Sequence, residues 1–163
     1  MLKQLQKGFT LIELLVVIGI LGILLAIVLI AINPAAQFAQ ANNTARNNDV
    51  NTILNAIHQY AADHKGVLPP GMPAGGAAAE EISTAGADIC GGLAPDYVSL
   101  FPVDPDTTGY TGATNGAAVA DCAVVGGYTT GYEVAVDSGG RVTVSAPDAE
   151  AVRGVTPVIS VKR

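Results

Sequence analysis

From Leu14 to Ile32 the chain carries no charge: 19 successive residues drawn almost wholly from Leu, Ile, Val, Ala and Gly. At the rise of an α-helix this run spans roughly 28 Å, close to the hydrocarbon thickness of a bilayer. Lys3 and Lys7 precede it, and the next cation after it is Arg46. The excess of positive charge before the span places Met1 in the cytoplasm and everything beyond the span outside. The apolar run is longer than the core of a secretory signal, and no Ala-x-Ala cleavage site follows it. A retained membrane helix is therefore expected.

The remainder sets limits on function. The 163 residues suffice for one ordinary domain beyond the helix. A net charge of −6 and a pI near 4.6 exclude a non-specific coat on nucleic acid. Glu13, near the start of the apolar run, is the residue that a plain anchor leaves unexplained. A carboxylate carried to mid-bilayer costs about 2.5–3.5 kcal/mol or more, so a partner or an interfacial position must offset it.

The segment Lys7-Gly8-Phe9-Thr10-Leu11-Ile12-Glu13-Leu14 closely resembles the prepilin motif of bacterial type IV pilins and type II secretion pseudopilins. The resemblance implies a leader at 1–8, cleavage between Gly8 and Phe9 by a prepilin peptidase, and N-methylation of the new Phe9 terminus. It further implies that Glu13 pairs with the Phe9 amine of a neighbouring subunit, since a lone charge in an apolar helix bundle is strongly unfavourable. The implied partners are other copies in a homo-oligomeric filament, further pilins, an assembly platform and its ATPase. DNA enters only as a possible uptake substrate.

Residues 9–32 are expected to form the membrane and filament-core helix, and 33–65 an amphipathic helix of the head. Asn33-Pro34 signals an interruption, because proline disfavours helical geometry before it and suits a first helical position after it. In pilins the corresponding stretch, here roughly Gly22 to Pro34, can lose helix on assembly, so Gly22, Asn33 and Pro34 mark the expected break. Beyond it, Val50, Ile53, Leu54, Ile57, Tyr60 and Ala61 form one apolar stripe at helical spacing, opposite Asn48, Asp49, Asn51, Asn55 and Gln59. Gly66, Pro69 and Pro70 end that helix.

Residues 66–163 read as a loop followed by an antiparallel sheet. Residues 71–92 are low in complexity, with a short helix expected around Ala77–Ile82. Strands are expected at Tyr132–Val136 and Arg141–Ser145, joined by a turn at Asp137-Ser138-Gly139-Gly140. A further strand is placed near Val124–Thr129, and an edge strand at Val155–Val161, where Pro157 bars a central position. The fold class is α+β: a long N-terminal helix, its first half membrane-spanning, packed on a small antiparallel sheet in the pilin-like manner.

Few constellations suggest chemistry. Asp137-Ser138-Gly139-Gly140 resembles the nucleophile region of trypsin-like proteases, but a hairpin turn accounts for it, and His58 and His64 lie far from it on the helix. Those two histidines are six apart, about 240° around a helix, and so do not share a metal-binding face. Cys90 and Cys122 close one disulfide if the domain is exported; two free buried thiols are the alternative. The run Leu93–Pro105, with Gly109-Tyr110 after it, resembles the tail of major pseudopilins, where calcium can bind. Asp104, Asp106 and Asp121 are then the conceivable ligands, although Asp and Pro equally build turns. No nucleotide-binding loop is present, so the motor for assembly would be another protein.

The reading is a non-enzymatic subunit of a type IV pilus-like filament, serving adhesion, motility or DNA uptake. It would reside in the cytoplasmic membrane before assembly and in an extracellular filament afterwards. A type II secretion pseudopilin in a periplasmic pseudopilus is the rival from the same class. A monomeric membrane-anchored binding domain is the rival from another.

Overall fold

The computed structural model describes residues 8–106, 119, 122–123 and 127–163. It divides into two compact units, 1–38 and 39–163.

In the first unit, helix α1 runs from Leu11 to Ile32 and buries none of its side chains. Thr10 caps it: its hydroxyl accepts from the Glu13 N–H, while the Glu13 carboxylate accepts from the Thr10 N–H at 2.8 Å and hydroxyl at 2.7 Å. This reciprocal box satisfies donors that a helix start leaves unpaired. Gly19 and Gly22 sit in unbroken helix, and a methyl group added at either would meet nothing within 4 Å. The interruption falls at Asn33, whose backbone is left-handed at φ 46°. Pro34 then opens helix α2, Pro34–Asp63, as an N-terminal proline can because it has no N–H to leave unpaired. A single uninterrupted helix from Phe9 to His64 is thus not formed.

In the second unit, α2 turns Ala39, Asn43, Arg46, Val50, Ile53, Leu54, Ala56 and Ile57 inward. The expected apolar stripe is there, with Tyr60 and Ala61 half-buried at its end. It continues towards the N-terminus through two polar residues, Asn43 and Arg46. Lys65 and Gly66 adopt positive φ, and the Gly66 N–H bonds back to the Ala61 carbonyl at 2.7 Å, closing the helix end.

Strand β1, Glu80–Ser83, stands where a short helix was expected around Ala77–Ile82. The correction has a tertiary cause: Glu80 and Glu81 pair with Val134 and Glu133 of the next strand, and Ile82 and Ser83 are buried. One helical turn, α3, covers Cys90–Leu93 inside a segment read as loop. Strands β2 (Thr129–Val136), β3 (Val142–Ala146) and β4 (Ile159–Lys162) complete an antiparallel sheet in the order β1-β2-β3-β4. The pairs Val134–Val144 and Val144–Val161 set its register. Alternation puts Tyr132, Val134, Val136, Val142, Val144 and Ala146 on the buried face, in one core with the α2 stripe, Ile82, Ile89, Leu93 and Phe101. Of the strand foreseen near Val124–Thr129, residues 124–126 lie outside the described residues, Gly127 and Tyr128 belong to no strand, and Thr129 opens β2. Gly71 is needed as glycine, since φ is +87° and a Cβ would collide with the Asp88 carbonyl.

Candidate functional site

At the N-terminal end, Phe9 is 86% exposed, and the apolar residues of α1 are open on every side. The helix is long and apolar enough to cross a membrane. In water so much uncovered apolar surface would be strongly unfavourable, so α1 requires lipid or other helices around it. Glu13 lies at the head of this surface, one carboxylate oxygen held by Thr10. Gly8, Phe9, Thr10 and Glu13 are therefore exposed at the start of the helix among the described residues.

The second unit contains a polar centre that sequence reasoning missed. Arg46 is fully buried and grips Asp104, also fully buried, through Nε and Nη2, each at 2.7 Å. Its Nη1 donates to Asn43 Oδ1 at 3.0 Å and to Glu150 Oε1 at 3.1 Å. Asn43 in turn donates to the Glu150 carbonyl and accepts from the Glu150 N–H. One guanidinium thus ties α2 to the segment before β2 and to the segment after β3. The hydrogen bonds from Arg46 to Asp104 hold its proton still more firmly than usual, against the opposing effect of burial. A signal did exist: Ala39, Asn43, Arg46, Val50, Ile53 and Ile57 follow four-three spacing, so the arginine occupies a core position of the same stripe.

Beside this centre, Asp49 accepts from the Tyr132 hydroxyl at 2.7 Å. Burial raises the Asp49 carboxyl above its ordinary range, the Tyr132 hydrogen bond opposes that rise, and the Asp104 charge adds to it. Burial, reinforced by Asp49, likewise pushes the Tyr132 hydroxyl far up.

Of the residues considered for calcium, Asp104 has both oxygens engaged by Arg46 and also accepts from the Asp106 N–H at 2.9 Å. Asp121 lies outside the described residues. Among the described residues no group of three or more metal-binding side chains converges. Cys90 and Cys122 are joined in a disulfide. The Asp137–Gly140 segment is a hairpin turn: the Asp137 carboxylate accepts from the N–H groups of Gly139 and Arg141 and pairs with Arg141 and Lys162. His64 stacks on Tyr60 with ring centres 3.9 Å apart. His58 is half-buried, and its Nε2 has no hydrogen-bond partner among the described residues.

Residues 3–29 match a family model described as the prokaryotic N-terminal methylation motif. The fimbrial protein EcpC of Eikenella corrodens is 46% identical over 82 residues, covering 48% of this chain and 50% of that protein. The chain thus spans about half the length of the curated relative it matches. No solved structure matches the chain.

The fold and the motif define a class, that of chains bearing a methylation motif at the head of a membrane-length helix, with a small α+β unit beyond it. The matched motif and the fimbrial relative support similarity to type IV pilin-like proteins.

Proposed function

We propose that the chain is a structural, non-enzymatic subunit of a type IV pilus-like filament, assembled through α1. The observation that carries this reading is the bare apolar surface of α1 behind the methylation motif, with Glu13 at its head. Cleavage between Gly8 and Phe9 would create an α-amine with an ordinary pKa near 8, largely cationic at neutral pH. Methylated, it would pair with the Glu13 carboxylate of an adjacent subunit, so that both charges enter the helix bundle neutralised. The prepilin peptidase, platform and ATPase are the partners this scheme needs. Before assembly the second unit would lie outside the cytoplasmic membrane. Helix between Gly22 and Pro34 would loosen on assembly, starting from the break at Asn33. The fimbrial relative favours an extracellular filament used in adhesion, motility or DNA uptake over a periplasmic pseudopilus.

Intact mass of the protein in cell envelopes and in sheared surface material tests this. A chain beginning at methylated Phe9 in the sheared fraction is expected. An uncut chain, with the peptidase active, would overturn it. The same assay separates two roles of Glu13. Glu13→Gln keeps an acceptor for the Thr10 cap and removes the charge, while Glu13→Ala removes both. Loss of sheared filament in both variants, with processing intact, is expected; normal filament from Glu13→Gln would reduce Glu13 to a helix cap.

A further inference from the structure

We infer that the second unit carries a socket and a plug, and that Arg153 of one copy seats against Asp49 of the next. This rests on the filament reading above.

The socket is a cavity of about 430 Å³ beside α2. Its walls include Val98, Leu100, Pro102 and Pro105, and its polar groups include Asp49 and Ser99. Asp49 is half-buried and accepts a hydrogen bond from the neutral Tyr132 hydroxyl. The nearby guanidinium of Arg46 is already committed to Asp104 and Glu150. A carboxylate held partly out of water beside a cation already committed elsewhere carries a standing penalty, and an arriving cation would relieve it. Apolar walls around one such carboxylate fit a cation on an apolar stem, as an arginine side chain is.

The plug lies between β3 and β4. Val152 and Val155 bridge each other through both backbone pairs, at 2.8 and 3.1 Å, and so form a tight turn, which lines a cavity with Gln40, Thr44 and Asn47 of α2. Arg153 stands at its tip with φ 54°, an uncommon geometry for a residue with a side chain. It is exposed and makes no ion pair among the described residues, and beside it Val155 is 69% and Val158 93% exposed. The other cations after α2 are placed differently. Arg141 and Lys162 are held by Asp137, Arg163 reaches Asn55, and Lys65 sits at the end of α2 with positive φ.

Plug and socket face opposite ways. At about 100° per residue, Ala45, Asp49 and Thr52 lie roughly 110° to one side of the buried α2 stripe. Thr44 and Asn47, which flank the 152–157 segment, lie about as far to the other side. One copy therefore cannot satisfy its own socket. Two copies cannot close both contacts around a two-fold axis, and a head-to-tail series follows.

The test uses full-length chains in cells that assemble them. Ser99→Cys marks the socket and Thr156→Cys the plug, in differently tagged copies expressed together. Sheared filaments should contain the mixed cross-link several-fold above either like-with-like product. Arg153→Asp and Asp49→Arg should each abolish it, and the chain carrying both reversals should regain it. Asp49→Asn, which keeps an acceptor for Tyr132, should lose most of the cross-link while folding normally. Filaments that form with no excess of the mixed product would overturn the plug and socket and leave the filament reading standing. So would loss of the cross-link on Lys65→Asp but not on Arg153→Asp. Absence of processed filament from the unmutated chain would remove both readings.

Discussion

At the scale of single residues, the decisive group is Arg46. Three acceptors surround it with no water needed, and it links parts of the chain that are 58 and 104 positions away. Removing one side of such a pair strands the other charge in the core, at about 3–5 kcal/mol. Arg46→Met should therefore lower unfolding free energy by roughly that much in a denaturant titration. Replacing Asp104 by Leu in the same chain should recover much of the loss. Asp49 acts in the opposite sense. Its carboxyl is raised in the folded state, so between the ordinary carboxylate value, about 3.9, and that raised value the folded form keeps a proton that the unfolded form releases. Stability attributable to Asp49 falls as pH rises through this window and stays reduced above it. Relative to the parent, Asp49→Asn should gain stability between acid and neutral pH. A parallel pair of pH–stability curves would contradict this.

At the scale of elements, the patterns that depend on near neighbours were legible and those that depend on distant ones were not. The α2 stripe, the Asp137–Gly140 turn and the strands around it followed from periods of 3.6 and 2 and from turn residues. The capping pair Thr10 and Glu13 is a local pattern as well, although Glu13 drew attention for its charge rather than its cap. In contrast, Glu80–Ser83 has helix-tolerant residues and becomes a strand only because β2 offers an unpaired edge. Arg46 stood out in the sequence only as the first cation after the apolar run, because its acceptors, Asp104 and Glu150, come from remote segments. The disulfide belongs to the same group of long-range facts, foreseen only as one of two states. It closes a loop of 32 positions around α3 and Phe101. By the chain-entropy estimate, Cys90→Ser with Cys122→Ser should lower stability by about 3–4 kcal/mol, read by denaturant titration without reductant.

At the scale of the whole molecule, the two units answer to different surroundings. The core of the second unit is assembled from its own α2 segment, sheet and loops. A chain beginning at Ala39 should therefore be soluble without detergent and unfold cooperatively, while the full chain should need lipid or detergent. Aggregation of the shortened chain would mean that the second unit depends on residues before Ala39. That the span suits a membrane was legible from sequence alone, because 19 uncharged residues in a row match the hydrocarbon thickness of a bilayer. How the span meets other copies is a property of an assembly, which one chain's pattern encodes only as an unpaired charge and a bare surface. The Cys90–Cys122 bridge adds something under tension. A chain pulled from its two ends through Ala39 and Arg163 can give up its strands and α2, but the 32 positions within the bridge are withheld from extension. At roughly 3.4 Å per residue this is about 110 Å of contour that stays folded back until the sulfurs are reduced. In a single-molecule pulling trace, the redox state of the surroundings would thus set how far each subunit can stretch.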